Sequence, residues 1–261
     1  VPEVTVHTPH TPSWVDLASP DVAAATRFYG QLFGWEAQQV AGPDMGNYTF
    51  FKLRGKDVGG VGAIMMPEQP VAWHVYIASD NIDQTAEKVR AAGGSVLMGP
   101  DDVMDAGRIG FFSDPTGAAF GVWQAGAHKG LGLVREPNAF TWAELRTRDI
   151  AAAKRFYQQV FGWGAESHPL GPGQPEYTEW KVDGQSIGGA MPMMQPYFPE
   201  QVPPHWLAFF QVENADRSAE QVTQLGGRVL AGPMDFPGGR FAVVNDPHGA
   251  ILGINSVEAR S

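Results

Sequence analysis

Asp16 and His74 are the two side chains whose types and settings suit proton chemistry. Asp16 lies in Ser13 to Leu17 and His74 in Trp73 to Ala78, and both segments read as strands. Side chains alternate along a strand, so Trp14 shares a face with Asp16, Tyr76 shares one with His74, and Trp123 joins Gly121 on a third strand. A carboxylate that orients an imidazole makes a general acid–base pair. The same two groups also make two metal ligands, one short of the three that a catalytic metal normally takes from protein. The structural alternatives are a backbone amide or an arginine bound by Asp16, and a hydrogen-bonded wall residue at His74. Residues Trp142, Glu144, Leu207, Phe209 and Asn255 hold corresponding places further along the chain, more apolar and without the histidine.

These correspondences come from a tandem duplication. Trp14-Val15-Asp16-Leu17 recurs as Trp142-Ala143-Glu144-Leu145, an offset of 128 residues. At that offset Ala23 to Tyr29 recurs as Ala151 to Tyr157, and Phe33-Gly34-Trp35 as Phe161-Gly162-Trp163. Gly59-Gly60 then matches Gly188-Gly189, and Asp114-Pro115-Thr116-Gly117 matches Asp246-Pro247-His248-Gly249. Each copy divides again into strand, helix and three strands. In the first, Asp21 caps a helix that runs to about Leu32, with Gly34 suited to the left-handed position after it. Strands are expected near Trp35 to Val40, Tyr48 to Leu53 and Val58 to Met65. The pattern restarts at Trp73 to Ala78, with a helix opened by Asn81 or Asp83, strands at Ser95 to Met98, Arg108 to Ser113 and Ala118 to Gln124, and a tight turn at Asp114 to Gly117. This divides the chain into a tail (1–12), a first domain (13–125, modules about 13–66 and 71–125), a linker (126–138) and a second domain (139–257, modules about 139–194 and 204–257).

The glycine pairs lack the strand–GxGxxG–helix setting, so no nucleotide loop is implied. Phe28-Tyr29 and Phe156-Tyr157 sit at core spacing on helices. His7, His10, His128, His168, His205 and His248 fall in expected loops or tails and read as solvated. Arg108 and Arg240 follow Asp105 and Asp235, which suggests local ion pairs.

Composition narrows the function. With 261 residues, 43% apolar and 18% charged, each half can bury its own core, and 32 Gly with 21 Pro favour short elements and tight turns. A net charge of −10 disfavours nucleic acid and mildly favours cationic small molecules. No apolar run approaches the length of a membrane span. The absence of cysteine excludes disulfides, thiolate metal sites and a cysteine nucleophile. With an opening Val1-Pro2-Glu3 that carries no cationic-then-apolar leader, the expectation is a cytoplasmic protein.

The paired βαβββ modules resemble the vicinal oxygen chelate superfamily, which includes glyoxalase I, extradiol dioxygenases and bleomycin-resistance proteins. The stretch from Trp14 through Pro20-Asp21, Arg27-Phe28-Tyr29 and Phe33-Gly34-Trp35, together with the Asp-Pro-x-Gly turns, carries the resemblance over nearly all of the chain after residue 12. Within the superfamily the chain is similar to two-domain actinobacterial glyoxalase-like proteins that often bear a hydroxylase label. The resemblance implies an α+β fold, a tandem pair of such domains whose four modules form two cupped, incompletely closed, barrel-like mixed sheets. It places ligands against the concave faces, where Trp14, Asp16, His74, Tyr76 and Trp123 would line one cup and Trp142, Glu144, Leu207, Phe209 and Asn255 the other.

Metal-dependent relatives draw their ligands from the first and last strands of each module. Those places fall on Trp14, His74 and Gly121 in the first copy, with no His, Asp or Glu in Val61 to Met65, and on Trp142, Leu207 and Gly253 in the second. The expectation is therefore a protein without a metal cofactor that binds a small organic molecule, aromatic or cationic, in an aromatic-lined cup. The alternative is an enzyme of the same superfamily acting on a secondary metabolite, with Asp16 and His74 catalytic or metal-binding. Because one chain already holds four modules, a monomer or weak homodimer is expected.

Overall fold

The structure is a computed structural model, and it describes residues 4–171 and 175–257; the first three residues of the tail lie outside these. The first half runs β1 (Pro12–Ser19), α1 (Val22–Phe33), β2 (Glu36–Gln39), β3 (Thr49–Leu53), β4 (Lys56–Ala63), β5 (Ala72–Ala78), α2 (Ile82–Ala91), β6 (Ser95–Val103), β7 (Gly107–Ser113) and β8 (Ala119–Ala125). The second runs β9 (Phe140–Thr147), α3 (Ile150–Phe161), β10 (Gly164–Pro169), β11 (Glu176–Val182), β12 (Gln185–Pro192), β13 (His205–Gln211), α4 (Ala215–Gln224), β14 (Arg228–Phe236), β15 (Gly239–Asn245) and β16 (Ile251–Val257). Each half is one eight-stranded mixed sheet, in the orders β2-β3-β4-β1-β5-β8-β7-β6 and β10-β11-β12-β9-β13-β16-β15-β14. The nested βαβββ repeat is thus present four times. β6 extends five residues beyond the expected Met98, with register shifts where Gly99-Pro100 interrupts its pairing to β7.

Local chemistry sets the helix ends. The Asp21 and Asp149 carboxylates accept from the Ala24 and Ala152 amides at 2.8 Å, and Asn81 and Asn214 do the same for α2 and α4. Gly34 and Gly162, both at φ 71°, end α1 and α3 in the left-handed conformation that a Cβ would disfavour.

The helix-bearing faces of the two sheets share one core. α1 touches α4 and α2 touches α3, while Phe210 of β13 packs on Phe33, Trp35 and Trp73 of the first half. Two matching polar knots are buried in this core. The Tyr29 hydroxyl accepts from Trp73 Nε1 (2.9 Å) and donates to Asp246 of the opposite half (3.1 Å). The Tyr157 hydroxyl accepts from Trp206 Nε1 (2.9 Å) and donates to Asp114 (3.1 Å). Asp114 and Asp246 are the first residues of the two Asp-Pro-x-Gly turns, and each also accepts the amides two and four residues on. Tyr29 and Tyr157 are therefore packing residues, as their spacing implies, with a hydroxyl role across the duplication. Five of the eight tryptophans, Trp35, Trp73, Trp163, Trp180 and Trp206, are buried around them.

The linker is not a loose polar tether. Leu131, Leu133 and Glu136 are buried, Leu131 N donates to Ser13 O, Gly132 N donates to Asp57 O, and Arg54 pairs with Glu136. The described part of the tail is also tied down, with Val4 N on Gly132 O and His10 O accepting from Trp163 Nε1. No described helix is long and apolar enough to cross a membrane.

Candidate functional site

Cup 1 is built where β1, β4, β5 and β8 lie side by side. β1 is antiparallel to β5 and parallel to β4, a register that puts Asp16 opposite both His74 and Gly60, and Trp14 opposite Tyr76. The Asp16 carboxylate, 12% accessible, is the meeting point of three side chains. Tyr48 and Tyr76 donate to its Oδ2 at 2.8 and 2.9 Å, and His74 Nδ1 lies 3.1 Å from its Oδ1. Trp14 Nε1 donates to the Tyr48 hydroxyl at 3.0 Å. Burial, and next the charge of Asp16, push both phenols well above their ordinary range, so they stay donors at any working pH. An ionised carboxylate only accepts, so His74 Nδ1 is the donor of this pair. The His74 side chain remains 18% accessible and meets the Phe111 ring edge-on at 5.1 Å.

Strand glycines make room for this cluster. A methyl group at Gly60 would overlap the Tyr48 ring, and one at Gly121 would overlap the Tyr76 ring. The ring of Tyr76 thus takes up the space that a side chain on the last strand of the second module would need.

The walls include a residue that sequence reasoning set aside. His128, expected to be solvated, folds from the linker into the cup with a side chain 13% accessible. Its ring lies 4.4 Å from Trp14, 4.8 Å from Phe50 and 5.6 Å from Trp123, and Trp123 Nε1 donates to its carbonyl at 3.0 Å. Trp123 is thereby joined to Trp14 through His128. Burial lowers the His128 pKa to about 4, with Asp57, 4.0 Å from Nδ1, only partly opposing it, and Nε2 is buried without a partner among the described residues. Four other expectations about polar residues are corrected. His7 is half-buried with Nε2 2.9 Å from Leu131 O, His10 is half-buried against the Phe161 ring, and His205 is half-buried with Nδ1 2.9 Å from Pro203 O. His168 and His248 are exposed. Arg108 pairs with Asp83 and Asp102 rather than Asp105, while Arg240 pairs with Asp235 and also Asp216.

Cup 2 keeps the plan and changes the chemistry. Trp142 Nε1 donates to Tyr177 at 2.8 Å, and Tyr177, its pKa raised well above the phenol range by burial and then by Glu144, lies against that carboxylate. Gly189, opposite Glu144, leaves the space for the Tyr177 ring as Gly60 does for Tyr48. Leu207 and Phe209 stand where His74 and Tyr76 stand in cup 1, and neither can donate to Glu144. Arg146 replaces them, its Nε donating to Glu144 Oε1 at 3.0 Å. Phe209 packs with Leu207 and Val243, and Asn255 is buried beside Phe241 with Oδ1 unpartnered among the described residues.

The donor set does not suit the divalent ion of the metal-dependent relatives. Cup 1 offers one carboxylate already holding three donors and one imidazole bound to it, Gly60 and Gly121 offer nothing, and no group of three or more His, Cys, Asp or Glu among the described residues is arranged to hold a metal.

The comparisons with known proteins agree with the architecture. A family model described as the Glyoxalase/Bleomycin resistance protein/Dioxygenase superfamily matches twice, at residues 11–122 and 139–254. The chain is 41% identical over 249 residues, 94% of each chain, to a Mycobacterium tuberculosis (strain CDC 1551 / Oshkosh) protein named "Putative glyoxylase CFP32". It is 37% identical over 273 residues, 98% of this chain and 96% of the relative, to the anthracycline biosynthesis protein DnrV of Streptomyces peucetius. In fold it is similar to the 2,3-dioxygenase LapB from Pseudomonas sp. KL28, with a TM-score of 0.66 at 12% identity over 98% of this chain and 95% of that one. The Mn(II)-bound glyoxalase from Novosphingobium aromaticivorans gives a TM-score of 0.64 at 19% identity, over 96% and 84% of the two chains. The chain belongs to the glyoxalase, bleomycin resistance protein and dioxygenase superfamily, carrying two copies of its domain.

Proposed function

We propose that cup 1 binds a planar organic molecule of the secondary-metabolite class without the help of a divalent metal. The convergence of Tyr48, Tyr76 and His74 on Asp16, at the place where the fold otherwise gathers metal ligands, is the observation that carries this reading. The half-buried rings of Phe50 and Phe111 border the cluster, with the buried Trp14 and Trp123 backing them through His128, and the acidic floor favours a ligand with a cationic or donor group. The name of the Streptomyces peucetius relative places that protein in anthracycline biosynthesis, which supports a ligand of the secondary-metabolite class. Titration of the intrinsic tryptophan fluorescence with a panel of polycyclic and cationic metabolites tests the proposal. Saturable quenching that is lost in Asp16→Asn is expected; tight stoichiometric binding of a divalent metal, with no quenching by any of the panel, overturns it.

A second reading follows from the imidazole itself. His74 Nδ1 is tied to Asp16, which leaves Nε2 as the ring nitrogen available for proton transfer. On this reading the chain is an enzyme whose His74 takes a proton from the bound metabolite. Turnover lost in His74→Ala, with the quenching titration unchanged, would distinguish it from simple binding.

A further inference from the structure

Cup 2 contains a buried cation whose hydrogen bonds are only partly used. Arg146 is 9% accessible, and its Nε edge is taken by Glu144, itself 9% accessible. Among the described residues no acceptor meets either Nη group; the guanidinium instead lies 5.4 Å beneath the ring of Phe198. Phe198 belongs to the connection 193–204 between β12 and β13, which is four residues longer than the matching connection 64–71 of the first half. Arg148 clamps that connection, donating from Nη1 to Val202 O and from Nη2 to Pro199 O, both at 2.8 Å. A cleft of about 440 Å³ opens beside this connection, lined by Arg148, Met193, Gln195, Phe198 and Glu200, and Phe198 is the residue that it shares with Arg146. At the other end of the cup the nine-tenths-buried Asn255 has its Oδ1 unpartnered among the described residues.

A buried guanidinium presents two parallel Nη–H bonds along its end, a fork that matches the two oxygens of a carboxylate. The charges around it are Arg146 and Arg148 against Glu144 and Glu200. Glu144 is occupied by Nε and Tyr177, and Arg148, whose Nη groups meet neutral carbonyls, brings a second positive charge to the same connection. We propose that cup 2 is a second binding site, specific for a planar organic acid whose carboxylate is gripped by the Nη groups of Arg146 under the Phe198 lid. The two cups then differ in kind: an acidic floor with an imidazole in one, a guanidinium fork in the other. The difference traces to three exchanges, Arg146 for Ala18, Leu207 for His74 and Phe209 for Tyr76.

The probe is 2-naphthoate, compared with its neutral isostere 2-naphthamide, by calorimetry on the full chain. The acid is expected to bind at least tenfold more tightly than the amide. Arg146→Lys, which keeps the charge and loses the fork, is expected to weaken the acid at least tenfold. Glu144→Gln with Arg146→Met, which removes both charges together, is expected to abolish the preference for the acid. Phe198→Ala is expected to speed release, and His74→Ala in cup 1 to leave the acid's affinity within twofold. Equal affinity for acid and amide, undiminished binding by Arg146→Lys, no binding of the acid, or its loss in His74→Ala each overturn the proposal. If the double variant fails to fold, Arg146→Lys alone decides. None of these readouts involves Asp16, so the cup 1 reading stands or falls separately.

Discussion

Lowering the pH should unlatch the linker from cup 1, because His128 is held neutral there. Its pKa falls from 6.5 to about 4 through burial among Trp14, Phe50 and Trp123. For a histidine whose folded pKa lies below its unfolded one, the unfolded state binds more protons as pH drops, so stability is lost on acidification. Above pH 6.5 the effect vanishes, and below about 4 it is complete. Linkage with these two values costs about 1 kcal/mol at pH 5.5 and about 2–3 kcal/mol at pH 4.5. The assay is urea unfolding of the wild type and of His128→Phe between pH 7.5 and 4.5. Phenylalanine fits the aromatic nest and does not titrate. The stability of the wild type minus that of the variant should fall by about 2–3 kcal/mol across this range. Local release of residues 126–133 would show first, as a change in Trp14 and Trp123 emission that is absent in the variant. Parallel stability curves for the two proteins would refute the reasoning.

Tyr29→Phe should destabilise the chain by about 2–4 kcal/mol, because it leaves Trp73 Nε1 and Asp246 each short of a buried partner, and Tyr157→Phe should cost a similar amount; denaturant midpoints check both. Gly121→Ala sets a methyl into the Tyr76 ring and should cost about 1–3 kcal/mol while weakening cup 1 binding, since Tyr76 can no longer reach Asp16, as thermal melts and quenching titrations would reveal. Adding Mn(II), Ni(II) or Zn(II) at 100 µM should leave the melting temperature unchanged. A site with a Kd of about 1 µM would add about 2.7 kcal/mol of stability under those conditions, which a thermal melt would register.

Much of this fold is legible in sequence because its signals are local. Caps at Asp21, Asn81, Asp149 and Asn214, stop glycines at Gly34 and Gly162, and two Asp-Pro-x-Gly turns announce each module without reference to any other. The pairing of Asp16 with His74 and Tyr76 follows from strand alternation once the repeat has placed their strands together. Tyr48 and Tyr177 escape notice because they precede or open edge-side strands, and their meaning depends on a carboxylate two strands away. A sequence signal for them does exist: glycines recur inside a strand at Gly60 and Gly189, where a neighbouring ring needs the space. Arg146 was equally within reach, since Trp142, Glu144 and Arg146 alternate onto one face. His128 was not. Its linker carries no periodicity, and only the docking of Leu131 against β1 turns the chain back toward the cup.

The knots Tyr29–Asp246 and Tyr157–Asp114 make each half the guarantor of the other's turn. If the chain is cut within 126–138, neither fragment can satisfy its own turn aspartate, so two separately expressed halves are expected to recombine rather than persist alone. The first half by itself has both pieces, Tyr29 and Asp114, and a pair of identical copies related by a twofold axis could close both knots. The peptide link between the halves then acts as a choice of partner: it brings an acidic cup and a guanidinium cup together in every molecule, a combination that free assembly of like halves would not enforce.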